Sequence, residues 1–144
     1  MSLRGVTPRL LRAMAVFYAV IMTFVVASGW VPGWYTMTAS GERMSFGLFM
    51  LSPLDDITHG LTALAFIAAA ISGEVRHTRL VCTAFGWYYA LDAVFFLTYG
   101  FVNDKTWMQE IMLNTPHVLL GGMLLWLAYA PLTSPAPLPV TSRA

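Results

Sequence analysis

Charge is what this sequence has least of. Only 10% of its 144 residues are Asp, Glu, Lys or Arg, against roughly 25% in an ordinary soluble domain, so a water-facing globular surface cannot be assembled from it. The net charge is +1 with the basic residues scattered, which excludes the basic face that nucleic acid requires. There is a single cysteine, Cys82, set in an apolar run. That excludes an internal disulfide and any Cys-x-x-Cys metal or redox site, and Cys82 reads as core. No phosphate-cradling glycine loop, Gly-x-Ser-x-Gly elbow or His-Glu-x-x-His helix occurs, so the chain reads as non-enzymatic.

What it has in abundance is grease. Hydrophobic residues make up 58% and aromatics 14%, the composition of a membrane protein whose main partner is the lipid bilayer. Residues 1–12 form a short basic arm with Arg4, Arg9 and Arg12. Residues 13–30 are an uncharged run of 18, enough at about 1.5 Å per residue to cross most of a roughly 30 Å hydrocarbon layer. Small residues at Ala27 and Ser28 also suit a secretory leader, but the run is read as the first span. A second span is expected over 53–73, a third over 80–102 and a fourth over 111–130, with a kink at Pro116. Pro131 stops the fourth, and residues 131–144 form a Pro-rich tail.

Between the first two spans lies a loop in which Trp30, Trp34 and Tyr35 suit an interfacial girdle. Its apolar run 44–51 (MSFGLFML) is too short to cross, and is read as a short interfacial helix. Residues 74–79 (EVRHTR) are expected to form a tight charged turn. Arg4, Arg9, Arg12, Arg76, Arg79 and Arg143 fall on one side, against Arg43 and Lys105 on the other, which predicts both termini in the cytoplasm. The fold class is therefore all-α, a transmembrane four-helix up-down bundle in a bacterial inner membrane. Residues 17–30 resemble 88–101, with Tyr18 against Tyr89, Phe24 against Phe95 and Gly29 against Gly100, and LSPLDDITHG (51–60) resembles LNTPHVLLGG (113–122). The bundle is thus read as two pseudo-repeated helical hairpins related by an axis along the membrane normal.

Gly29 to Gly33 (GWVPG), Phe46 to Phe49 (FGLF), LSPLDDITHG, a span ending in Leu-Thr-Tyr-Gly-Phe and Leu-Asn-Thr-Pro-His before a glycine-rich span follow in an order that resembles an uncharacterised family of small bacterial four-helix integral membrane proteins. The likeness covers about residues 10 to 130. In that family the returning helices carry Leu-His-Asn-x-x-His and Leu-Asn-x-x-Asp-Asn-x-x-His. His59 matches the final histidine of the first motif, with Asp55 and Asp56 in place of His and Asn. Leu113 and Asn114 match the second, but His117 stands where the family has Asp and Gly121 where it has His. The resemblance implies the fold and no activity, and the family's paired-histidine site is not carried over.

Polar chemistry collects at two helix mouths and one deep position. Asp92 lies near the centre of the third span, where a carboxylate costs several kcal/mol unless paired, neutralised or hydrated. Tyr88, Tyr89 and Tyr99 flank it at helical spacing. Counting inward at 1.5 Å per residue, Asp92 lies about 15 Å deep and His117 about 9 Å, so Asp92, His117 and these tyrosines form a candidate intramembrane polar cluster. Asp92 reads either as a held carboxylate fixing helix register, as part of a proton or ion relay, or as a contact to a partner subunit or pigment. Asp55, Asp56, His59 and Asn114 mark the mouths. Asp56 and His59 have the i, i+3 spacing of helical metal sites, yet Asp55 or Asp56 capping the helix explains them as well. His59 and His117 are the candidate cofactor ligands, for haem, a chlorophyll-type pigment or a metal, none of which the sequence requires. Ala65, Ala69 and Gly73, with Ala68 and Ser72, repeat every four residues, a pattern that suits close packing with another helix. The expected function is a non-catalytic accessory or structural subunit of a larger bacterial membrane complex. The alternatives are a small redox, metal-, haem- or quinone-binding or proton-transport protein using Asp92 and the histidines, and a pigment-associated subunit of a photosynthetic complex.

Overall fold

The computed structural model describes residues 5–39, 41, 43–102 and 107–133. Most of the expected tail, half of the last loop expected over 103–110, and the first residues of the basic arm lie outside these. Four helices carry the chain: α1 (Pro8–Ser28), α2 (Pro53–Ser72), α3 (Val75–Val102) and α4 (Trp107–Tyr129). Three of them, over Pro8–Ser28, Pro53–Ser72 and Val75–Tyr99, are long and apolar enough to cross a membrane, with only 28%, 28% and 22% of the span buried inside the protein. Much of the remainder is apolar side chain facing outward, among it Val16, Val20, Leu61, Leu64, Leu91 and Val94, as lipid contact demands. This is a mostly helical membrane protein.

Local chemistry fixes where the helices start and stop. Thr7 caps α1, its side chain accepting from Leu10 N at 3.1 Å, and Pro8 follows where no backbone N–H is needed. The helix therefore begins ahead of residue 13, with Arg9 and Arg12 in its first turns. A capping box opens α2: Ser52 N donates to Asp55 Oδ2 at 2.8 Å and Asp55 N to Ser52 Oγ at 3.2 Å. Gly73, at φ +67°, closes α2 in the left-handed conformation. α3 starts two residues later, so the expected charged turn over 74–79 is mostly helix. Thr78 N bonds the Glu74 carbonyl at 3.1 Å, and the Thr78 hydroxyl also donates to it.

The first loop departs from the expected interfacial helix. It folds as a three-stranded antiparallel sheet, β1 (Tyr35–Met37), β2 (Arg43–Ser45) and β3 (Phe49–Leu51), in the order β1-β2-β3. Tyr35 faces Ser45, and Ser45 faces Phe49. Phe46 and Gly47 both hold positive φ, +53° and +68°, and Leu48 N closes the turn on Ser45 O at 3.0 Å. Two consecutive left-handed residues reverse a chain as a hairpin. A helix cannot pass through them, so the apolar run doubles back on itself.

α1 packs along α2 and α3 along α4, with lighter contact between α2 and α3 and between α1 and α3. The core holds Leu11, Tyr18 and Met22 of α1, Phe66 of α2, Cys82 and Tyr89 of α3, and Leu124 and Leu127 of α4. Tyr18 stacks on Phe66 at 5.0 Å. Glycine sets the α3–α4 separation. A Cβ on Gly86 would stand 2.9 Å from Leu125 Cδ2 and 3.1 Å from its backbone N, and one on Gly121 would stand 3.1 Å from Tyr89 Cβ. At the far end from the sheet the two chain ends meet: Val6 N donates to Pro131 O at 2.8 Å and Thr133 N to Val6 O at 3.1 Å. Gly5 permits this, since a Cβ there would lie 2.4 Å from Thr133 Cγ2 and 2.5 Å from Pro131 O. The Arg79 guanidinium bonds the Ala130 carbonyl at the same end.

Candidate functional site

At the sheet end, the acidic residues of the α2 mouth are engaged internally. Asp55 closes the capping box. Asp56 Oδ2 receives Arg43 Nη2 in an ion pair and Trp30 Nε1 at 3.1 Å, while Arg43 Nη1 donates to Gly29 O at 2.9 Å. The Arg43 guanidinium also sits 4.1 Å over the Trp30 ring, a cation–π contact. The planar fork thus ties the end of α1, strand β2 and the start of α2 into one clamp. A cavity of about 280 Å³ opens beside it, lined by Met37, Arg43, Met50, Ser52 and Asp55.

One turn deeper, His59 Nδ1 lies 2.6 Å from the Asp55 carbonyl. A carbonyl only accepts, so Nδ1 carries the hydrogen and Nε2 of the neutral ring keeps its lone pair. His59 and His117 approach with ring centroids 6.4 Å apart, and the Tyr89 ring lies 6.2 Å from the first and 5.5 Å from the second. His117 Nδ1 reaches Asp92 Oδ2 at 2.9 Å, with the two side chains 26% and 19% exposed. The approach is that of an ion pair and falls off the line of a hydrogen bond. The Tyr89 hydroxyl meets Thr62 Oγ1 at 3.0 Å and Met22 Sδ at 3.5 Å, and Thr62 in turn donates to Thr58 O. Three members of the sequence-derived cluster, Asp92, Tyr89 and His117, are therefore together, and His59 of the α2 mouth joins them.

Tyr88 and Tyr99 are not with them. Both are exposed, Tyr88 edge-on to Tyr89 and Tyr99 stacked on Phe95. Asn114 is buried about one turn before His117. Among the described residues no group of three or more His, Cys, Asp or Glu side chains is arranged to hold a metal ion.

Three participants escaped the sequence reading. Arg43 looked like a loop cation, although it is the one described basic residue near the acidic mouth. Thr62 carried no signal beyond falling one turn after Thr58. Tyr18 donates to Leu120 O at 2.8 Å, bridging α1 to α4, and its alignment with Tyr89 in the internal repeat was the available clue. An imidazole and a carboxylate in contact inside an apolar bundle can share and exchange a proton. No family model, curated protein or solved structure matches the chain.

Proposed function

We propose that this protein is a non-catalytic accessory subunit of a larger bacterial inner-membrane assembly. The observation that carries the reading is Gly122. It lies in the interior of α4, is exposed, and has nothing within 4 Å of where a Cβ would stand. Gly86 and Gly121 have internal reasons to be glycine; Gly122 has none. A helix-interior glycine costs roughly 0.5–1 kcal/mol relative to alanine, and in membranes small residues permit close approach of a second helix. Gly60 in α2, also open where a Cβ would be, and the outward Ala68 and Ser72 repeat the pattern.

In this reading all four helices cross, as two hairpins related by a pseudo-twofold axis. Support comes from the tyrosines that the repeat equates. Tyr18 of α1 bonds α4 and Tyr89 of α3 bonds α2, so each reaches into the other hairpin at a similar level. Arg9, Arg12, Arg76 and Arg79 collect at the end where Val6 meets Pro131, and Arg43 at the other, a distribution that supports a cytoplasmic position for that end.

The test is extraction from native membranes in mild detergent. The wild type is expected to migrate with partner subunits, and Gly122→Leu to be released as a folded monomer. A wild-type protein that already migrates as a free monomer overturns the proposal.

A further inference from the structure

We propose that Asp92 and His117, with His59 between them and the α2 mouth, form an intramembrane proton-binding site open to water only on the sheet side. This goes beyond the subunit reading and does not depend on it.

Charge balance comes first. Among the described residues Asp92 pairs with His117 and with no lysine or arginine. The other groups facing the pair are His59 and Asp55 from α2 and Tyr89 from α3; Tyr88 and, from α1, Tyr18 stand behind Tyr89 and not against the pair. Asp55 is engaged by Ser52, and Asp56 by Arg43 and Trp30. Among the described residues the one cation available to Asp92 is therefore an imidazolium, and the pair is neutral only while it holds one proton. Losing that proton to water leaves carboxylate and neutral imidazole, net −1. Gaining a second gives carboxylic acid and imidazolium, net +1. Either bare charge in the bilayer costs several kcal/mol, so the occupied state is a single proton held by the pair, exchanged with water one at a time.

Access is one-sided. His59 lies six residues into α2, about 9 Å from its start, between the half-buried Asp55 and Thr58 and the His117 ring. With Nδ1 committed to the Asp55 carbonyl, Nε2 is its proton-accepting atom. Toward the other end, Ala15, Phe66, Cys82, Leu124 and Leu127 are each 3% exposed or less. Apart from the Cys82 thiol, a weak donor, they offer no polar side chain to carry a proton onward.

Two measurements on the full chain test this. In detergent, infrared difference spectra are recorded as pH is stepped from about 4 to about 9, spanning the usual carboxylate and histidine ranges. A carboxylic-acid carbonyl band that titrates, disappears in Asp92→Asn and moves its midpoint by about one pH unit or more in His117→Gln is expected. Should Asp92→Asn fail to fold, His117→Gln alone decides, because a band that ignores it cannot belong to a shared site. No titrating carboxyl band, or one indifferent to His117→Gln, overturns the proposal. For sidedness, His59→Cys in a Cys82→Ser background is exposed to a charged, membrane-impermeant thiol reagent. It should react from the same face as Thr36→Cys and not from the face of Arg76→Cys; absence of reaction, or reaction from the Arg76 face, sinks one-sided access.

Discussion

Single atoms decide the α3–α4 contact. Gly86→Ala places a methyl group against the Leu125 backbone, which cannot rotate away, and should destabilise the protein by about 1–3 kcal/mol in a denaturation titration in detergent. Gly122→Ala meets nothing and should stabilise the isolated monomer by about 0.4–1 kcal/mol, mainly by restricting the unfolded chain. Opposite signs for the same substitution would separate glycines used inside from those kept for the outside; equal losses would remove the basis for treating Gly122 as a contact point. At this scale the sequence was most informative where polarity is rare. Asp92 and His117 stand out because so few ionisable groups share their apolar surroundings, and counting residues from the helix ends already put them within about 6 Å of each other in depth. The glycines were opaque: a small residue in a span signals close approach, but only the packing tells whether the neighbour is the next helix of the same chain.

At the level of elements, the caps and the clamp hold the sheet end. Ser52→Ala removes the capping box and should cost about 1 kcal/mol, seen as faster amide exchange over residues 54–56 with the rest of α2 unchanged. Arg43→Ala removes the charged partner of Asp56 and should cost about 1.5–3 kcal/mol, with a change in Trp30 fluorescence as the cation leaves its ring. Arg43→Lys should recover less than half of that loss, since an ammonium cannot bond Gly29 O and Asp56 together in one plane. Helices were legible here because twenty-odd apolar residues in a row leave the backbone no other way to satisfy itself in lipid. The sheet was not. Its strands are three residues each, too few for alternation to register, and the deciding event is the backbone conformation of Phe46, a residue type that rarely adopts positive φ. Gly47 was the only hint, and in an apolar run it reads equally well as a packing residue.

Across the whole molecule, the buried Cys82 is a built-in reporter of integrity. Its thiol is fully enclosed, so modification by a soluble maleimide should be negligible in the folded protein and should rise in step with global unfolding; rapid labelling under native conditions would mean the core opens locally. Gly5→Val should separate the joined ends and raise amide exchange at Val6 and Thr133 without loss of helix content. That junction also imposes an order of events during synthesis. Val6 leaves the ribosome ahead of α1 and its hydrogen-bonding partners, Pro131 and Thr133, after α4, so α1 must wait in the lipid, unlatched, until translation has passed α4. The bundle is therefore sealed only after residues 131–133 have been made, and a ribosome stalled before residue 131 would leave inserted helices that cannot complete their closure.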